Sequence, residues 1–96
     1  ERFSATQAHA MGMVHELCTA ESLDAKVAEI VNTLCGNGPQ ALRACKRLVQ
    51  DVTDRVIDET LRAETARRIA DIRASDEGKE GLASFLQKRP ASWTQS

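Results

Sequence analysis

Apolar residues recur at helical spacing along most of the chain. Between Glu21 and Cys35 they fall at i, i+4, i+7, i+8 and i+11, at Leu23, Val27, Ile30, Val31 and Leu34. That spacing places them in one stripe along a helix. A second helix is expected after Pro39, because proline lacks only an N–H that the first helical position does not use. Its expected buried face comprises Leu42, Cys45, Leu48, Val49 and Val52.

Capping signals mark the other helices. Ser4 and Gln7 have the spacing of a capping box, and Gly12 suits the left-handed residue that ends such a helix. Thr53 or Asp54 is expected to cap a fourth helix that extends to about residue 74. Its apolar line is Ile57, Leu61, Ile69 and Ile72, and its expected i,i+4 ion pairs are Asp58–Arg62 and Glu64–Arg68.

The last helix is expected to start at Ser75, which two acidic residues follow in the first turn, and to end at Pro90. Only three residues are aromatic, so the apolar side chains are mainly aliphatic, which favours helix packing over a sheet sandwich. The predicted fold class is all-α, with about five helices and at most one short strand. The partial alternation at Met13–Leu17 marks where that strand would lie.

Length, charge and cysteine content limit the possible functions. The 96 residues fit one small domain, and the start at Glu1 rather than Met suggests a trimmed fragment. A net charge of −1 argues against a nucleic-acid partner. We expect no membrane span and no signal peptide, because no apolar run is long enough and the first 20 residues mix charge with short apolar stretches. Three cysteines at irregular spacing predict reduced thiols and a cytoplasmic protein.

Few residues suggest chemistry on their own. His9, His15 and Cys18 could be imagined as metal ligands or a cysteine–histidine pair, but no fourth ligand or orienting group accompanies them. We therefore predict no metal site and no catalytic residue in this chain. The basic face of the third helix is expected to be solvated, or to meet an acidic partner or a phosphate; it comprises Arg43, Lys46 and Arg47. The carboxylates are expected to be solvated or to cap helices; they include Glu59, Glu64, Asp71, Asp76, Glu77 and Glu80.

Phe85 and Lys88 are the candidate binding residues. They lie three positions apart and would be neighbours on the surface of the last helix. An aromatic ring can pack on a nucleotide base while an ammonium meets a phosphate. The alternative is a core phenylalanine beside an unrelated solvated lysine.

Three stretches lie at Phe3 to Val14, Gly38 to Lys46 and Ser75 to Arg89, and all three resemble motifs of the crotonase family of acyl-CoA hydratases and isomerases. Residues Phe3 to Val14 resemble its pattern Phe-x-Ala-x-x-Ala-x-x-x-Gly-Leu-Val, with Met in place of Leu. Residues Gly38 to Lys46 resemble Gly-Pro-x-Ala-Leu followed by a lysine. Residues Ser75 to Arg89 resemble Asp-x-x-Glu-Gly-x-x-Ala-Phe-x-x-Lys-Arg, with Ser84 in place of Ala. The motifs occur in family order and cover nearly the whole chain.

The resemblance implies that residues 1–96 form the C-terminal helical trimerisation and CoA-capping domain of a crotonase-fold enzyme, without its catalytic βα core. Such an enzyme adds water across the double bond of an enoyl-CoA, with acyl-CoA as substrate and no prosthetic group. Phe85 and Lys88 match family positions that contact the adenosine end of CoA, often in a neighbouring subunit. The implied assembly is a homotrimer or a hexamer of paired trimers.

Residues Thr65 to Arg73, together with Trp93, are most similar to bacterial methylglutaconyl-CoA hydratases and their isoprenoid-chain relatives. This similarity implies a role in leucine degradation, within the wider fatty acid metabolism of the family. Two alternatives stay open. One is the tail of an enoyl-CoA isomerase, and the other is a stand-alone helical interaction module that binds no ligand.

Overall fold

A computed structural model of the chain describes residues 1–94 and contains helices and loops but no strand within that range. The α-helices are α1 (Ala5–Ala10), α2 (Leu23–Cys35), α3 (Pro39–Val52), α4 (Glu59–Ala74) and α5 (Asp76–Leu86). Single 3₁₀ turns lie at Ala20–Ser22 and Ser92–Thr94. The predicted all-α class with five helices is therefore confirmed. None of the described helices combines the length and apolar character needed to cross a membrane.

The chain divides into two compact units, Glu1–Asn32 and the part that begins at Thr33. In the first unit, α1 starts at the expected capping box. Gln7 N donates to Ser4 Oγ at 3.1 Å, and Ser4 N donates to Gln7 Oε1 at 2.8 Å. The helix ends in a Schellman motif, in which Met13 N reaches the carbonyl of Ala8 at 2.9 Å and Gly12 takes a φ of 76°. Both predictions for this helix are confirmed.

In the second unit, α3 begins at Gly38 and Pro39, but its cap comes from another helix. Gly38 offers no capping side chain. The carboxylate of Glu77 on α5 instead accepts from Gln40 N at 3.0 Å and from Ala41 N at 2.9 Å. A methyl group at position 38 would lie 2.4 Å from Glu77 Oε1, so glycine leaves the room that this cap needs.

The predicted cap of α4 is wrong. Residues 52–55 form a type II turn, with Asp54 at a φ of 63° and Arg55 N bonded to Val52 O at 3.2 Å. Thr53 turns its hydroxyl back to Val49 O at 2.6 Å. The cap lies four residues after Asp54 instead, at Asp58, whose Oδ1 accepts from Leu61 N at 2.8 Å.

Ion pairs join the end of α3 to α4. Arg68 bonds to Asp51 and to Glu64, each at 2.8 Å, and Arg55 bonds to Glu64 at 2.6 Å. The predicted Glu64–Arg68 pair is thus confirmed. The predicted Asp58–Arg62 pair is not formed, because Asp58 caps the helix and Arg62 pairs with Glu59.

One residue connects α4 to α5. Ser75 is both the residue after α4 and the N-cap of α5. Its Oγ donates to Ile72 O at 2.6 Å and accepts from Gly78 N at 3.0 Å. The predicted start of the last helix is confirmed, and no separate loop stands between the two helices.

Few side chains are buried. The buried apolar residues are Ala8, Leu61 and Ala91. The stripe of α2 is 44–52% exposed at all five of its positions, and Val49 of α3, which was expected to be buried, is 60% exposed. Leu42, Leu48 and Val52 are half-buried, whereas Cys45 is exposed. The helical periodicity is confirmed, but the expected burial is wrong because the described part of the chain supplies no layer that covers these faces.

Candidate ligand-binding site

Phe85 lies in the last turn of α5 with 79% of its surface exposed. The helix ends one residue later, at Leu86, in a second Schellman motif. Lys88 N donates to Phe85 O at 3.2 Å, and Arg89 N donates to Ser84 O at 3.0 Å. An end before Pro90 is expected, since proline disfavours helical geometry in the residue that precedes it.

Lys88 occupies the left-handed position of this motif, with a φ of 52°. Glycine is the usual residue there, because it has no Cβ to clash with the backbone. Lys88 lies two residues beyond the end of α5. The prediction that it neighbours Phe85 on the surface of that helix is therefore wrong. The turn still keeps the two residues close along the chain. In residues 1–94, the lysine ammonium has no ion pair.

The turn is held by Arg89 and Glu80. Arg89 Nη1 donates to Glu80 Oε1 at 2.6 Å, and Nη2 donates to Oε2 at 3.0 Å. The carboxylate also accepts from Ser92 N at 2.9 Å. The Arg89 hydrogen bonds and then the Ser92 N–H lower the pKa of Glu80 to about 2, and the same pair raises the pKa of Arg89.

The segment after Pro90 folds back along α5. The Trp93 ring lies against the helix at Gly81, where an added methyl would come within 3.2 Å of the indole. Trp93 Nε1 donates to Gly36 O, at the end of α2, at 3.3 Å. Ser84, the departure from the family motif, is buried, and its hydroxyl donates to Gly81 O at 2.8 Å. These contacts anchor both ends of the turn that carries Lys88.

The sequence does not indicate the Glu80–Arg89 pair. Nine residues separate the two, and in a continuous helix that separation is about 13 Å, too far for contact. They meet because the chain reverses after Leu86. The one available signal was that both residues fall within the closing family motif.

No cluster of three or more His, Cys, Asp and Glu side chains suited to a metal ion occurs in the described part of the chain. A general acid needs a raised pKa at a carboxyl group. The pKa of Glu64 moves the other way, lowered first by its hydrogen bond to Arg55 and then by that to Arg68. The basic face formed by Arg43, Lys46 and Arg47 is exposed, as predicted.

A groove of about 790 Å³ lies between α3 and α4. Its walls are mainly apolar and include Ala41, Ala44, Leu48, Ala66, Ile69 and Ile72. Arg47 and Arg68 also contribute to its lining. Such a groove suits apolar side chains better than a charged substrate.

The family model that matches the chain is described as enoyl-CoA hydratase/isomerase and covers residues 1–96. Among curated proteins, 1,4-dihydroxy-2-naphthoyl-CoA synthases are similar. That of Mycobacterium tuberculosis is 32% identical and that of Mycolicibacterium smegmatis 29% identical, each over 96% of this chain. The chain spans only 29% of the length of these relatives.

Solved structures are also similar. An enoyl-CoA hydratase of Shewanella pealeana shares 38% identity at a TM-score of 0.90, over 97% of this chain and 34% of its own. A Legionella pneumophila protein described as an enoyl CoA hydratase/isomerase (crotonase) shares 36% identity at 0.91, over 95% and 35%. AtuE of Pseudomonas aeruginosa shares 30% identity at 0.86, over 97% and 36%.

Proposed function

The chain belongs to the enoyl-CoA hydratase/isomerase family, and from this premise we propose that it is the C-terminal helical part of a cytoplasmic enoyl-CoA hydratase. In that enzyme, residues 1–96 make oligomer contacts and close over the adenosine end of a bound acyl-CoA. The catalytic groups belong to a βα core outside this chain. The acyl-CoA is the substrate, and the reaction uses no prosthetic group.

The observation that carries the proposal is that one helix end carries both an exposed aromatic ring and a lysine that forms no ion pair within residues 1–94. Phe85 is more exposed than any other large apolar residue recorded in the described chain. An exposed aromatic face suits a nucleotide base, and within residues 1–94 Lys88 forms no ion pair with an acid that would compete with a phosphate. Both residues match the family's closing motif.

The proposed parent reaction is the addition of water to an enoyl-CoA ester such as methylglutaconyl-CoA. Backbone N–H groups of the core would hold the thioester oxygen as negative charge develops on it. The similar proteins are named as hydratases, hydratase/isomerases and naphthoyl-CoA synthases, so a CoA thioester is what their names share. Isomerisation of an enoyl-CoA is the competing reaction.

Oligomer contacts are supported by the uncovered apolar surface. The stripe of α2 is about half exposed, and the groove between α3 and α4 is lined mainly by apolar residues, so both are surfaces that another subunit or domain could cover. We propose that the parent's core and neighbouring subunits cover these surfaces in a trimer or a pair of trimers.

Binding of CoA tests the proposed ligand contact. Calorimetric titration of the chain with CoA should give saturable binding, and Lys88→Ala or Phe85→Ala should weaken it by about tenfold, as expected for one charged or stacking contact. Lys46→Ala is the matched control, since Lys46 is another exposed lysine without an ion pair, on α3. Absence of CoA binding would favour the helical interaction module instead.

Activity tests the parent reaction. A chain extended N-terminally by the preceding region of its gene should hydrate methylglutaconyl-CoA. The assay measures this reaction as the loss of absorbance of the enoyl thioester. The chain of 96 residues should be inactive in the same assay. An extended chain that isomerises enoyl-CoA esters without hydrating them would reassign the reaction, and an inert one would contradict the proposal.

A further inference from the structure

The Arg89 side chain forms hydrogen bonds to residues that precede Lys88 in the chain and to one that follows it. Its Nε donates to the side chain of Gln87 at 2.7 Å, and its Nη1 and Nη2 hold the two oxygens of Glu80. Nη1 also lies 3.2 Å from Pro90 O. A planar guanidinium with several fixed donors resists rotation more than a single-point contact does. The turn around residue 88 is therefore fixed from three directions.

Glu80 in turn ties this turn to α5 and to the returning chain. It lies on α5, five residues before Phe85, and also accepts from Ser92 N at 2.9 Å. Ala91, which lies between Arg89 and Ser92, the two residues that bond to Glu80, is buried. Since Glu80 and Phe85 share one rigid helix, the salt bridge sets where the turn stands relative to the aromatic ring.

Lysine is an energetically unfavourable residue at the left-handed position that Lys88 occupies. Side chains other than glycine are disfavoured at positive φ, and such outliers persist where the surroundings enforce them. The Lys88 side chain makes no hydrogen bond or ion pair among residues 1–94 that would explain its selection for stability. The outlier therefore points to a role for the ammonium outside the folded chain.

We propose that Arg89, held by Glu80, is a positioning residue that locks the left-handed turn and so presents the Lys88 ammonium to a phosphate of the nucleotide that stacks on Phe85. This inference rests on the proposed function. The Arg89 guanidinium makes four hydrogen bonds within residues 1–94 and is neutralised by Glu80, so it acts through Lys88 rather than on the ligand.

A double-mutant cycle tests whether Arg89 acts through Lys88. Lys88→Gly removes the ammonium but favours the left-handed turn, and Arg89→Lys keeps the charge but loses the two-point grip. We expect Arg89→Lys to weaken CoA binding by about three- to tenfold when Lys88 is present and by less than about twofold in Lys88→Gly. Equal losses in both backgrounds, or no loss in either, would overturn the proposal.

Two further variants make the outcome secure. Glu80→Gln removes the ion pair from the other side and should reproduce the pattern of Arg89→Lys, which keeps the test decisive if one variant loses its helical circular dichroism. Asp54→Gly is the matched control, because Asp54 is the other non-glycine residue with left-handed backbone in residues 1–94 and lies outside the site. It should leave CoA affinity unchanged.

The same titrations separate this inference from the function on which it rests. CoA binding that depends on Lys88 but not on Arg89 or Glu80 would leave the proposed function intact and overturn the positioning role alone. Failure of the unaltered chain to bind CoA, or binding that ignores Lys88→Gly, would contradict the proposed function and the positioning role together.

Discussion

Left-handed backbone at Gly12, Asp54 and Lys88 sets three turns of the chain. The sequence predicted only the first, because glycine is the residue that tolerates positive φ without strain. Asp54 and Lys88 carry no such local signal. Their conformations are enforced by hydrogen bonds of neighbouring residues, which is why the cap of α4 was assigned to Thr53 or Asp54 when Asp58 provides it.

The salt bridge of Glu80 should make the returning tail sensitive to acid. Its pKa is lowered from 4.5 to about 2 in the folded chain, so its stabilising contribution is complete above pH 4.5 and is lost as pH falls toward 2. Trp93 is the only tryptophan and lies in that tail. Between pH 6 and pH 2.5 its fluorescence should shift to longer wavelength as the tail detaches and the indole meets water.

Glu80→Gln provides the control for this titration. The amide cannot be protonated in that range, so the variant should show the shifted fluorescence already at pH 6 and little change on acidification. A variant that titrates like the unaltered chain would assign the transition to other carboxylates, such as Glu64, whose pKa is also lowered, mainly by Arg55.

At the scale of elements, some helix caps come from residues next to the helix in sequence, and others come from residues that only the tertiary fold brings near. Ser4 and Ser75 cap helices within three residues of themselves, and both caps were predicted from sequence. The cap of α3 comes from Glu77, more than 35 residues away, and no local pattern indicates it. Glu77 was expected only as a solvated acid or a first-turn residue.

Removal of this distant cap should destabilise the fold. Glu77→Ala leaves two N–H groups of α3 without their acceptor and should lower the free energy of unfolding by about 1–2 kcal/mol, the usual range for a lost N-cap. Urea unfolding followed by circular dichroism measures it. Asp76→Ala is the matched control, because Asp76 also lies in the first turn of α5 but makes no recorded hydrogen bond to α3.

Gly38→Ala tests the same contact from the other side. The added methyl displaces the Glu77 carboxylate, so Glu77→Ala should cost little further stability in that background. Full additivity of the two substitutions would show that Glu77 stabilises the protein by some route other than the cap.

At the scale of the whole molecule, periodicity predicted where helices form but not which faces are covered. Leu23, Val27 and Ile30 repeat at helical spacing and lie on α2 as expected, yet about half of each remains exposed. A hydrophobic stripe predicts that some partner covers it, and the partner is not specified by the stripe. The candidate ligand contacts are also only partly predictable from sequence. The family motif suggests Phe85 and Lys88, but the geometry between these two residues depends on the turn that follows α5.

Exposed apolar faces should make the chain self-associate. Burial of Val, Leu and Ile side chains contributes about 1.5–3 kcal/mol each, so one paired stripe is enough for association at micromolar concentration. Sedimentation velocity should show a weight-average mass that rises with concentration. Ile30→Lys should suppress the rise, whereas Ile57→Lys, in the loop before α4 and 76% exposed, should not. A monomer at all concentrations would contradict this expectation.

Ser75 has a consequence for how the chain can vary in length. Because this single residue ends α4 and begins α5, the junction contains no spare residue that could absorb an insertion or deletion. One added residue would shift α5 relative to α4 and would remove Glu77 from the N-terminus of α3, whereas Glu80 and Arg89 both follow the junction and would move together. Tolerated indels in this half of the chain should therefore concentrate between α3 and α4, where six residues form an exposed connection.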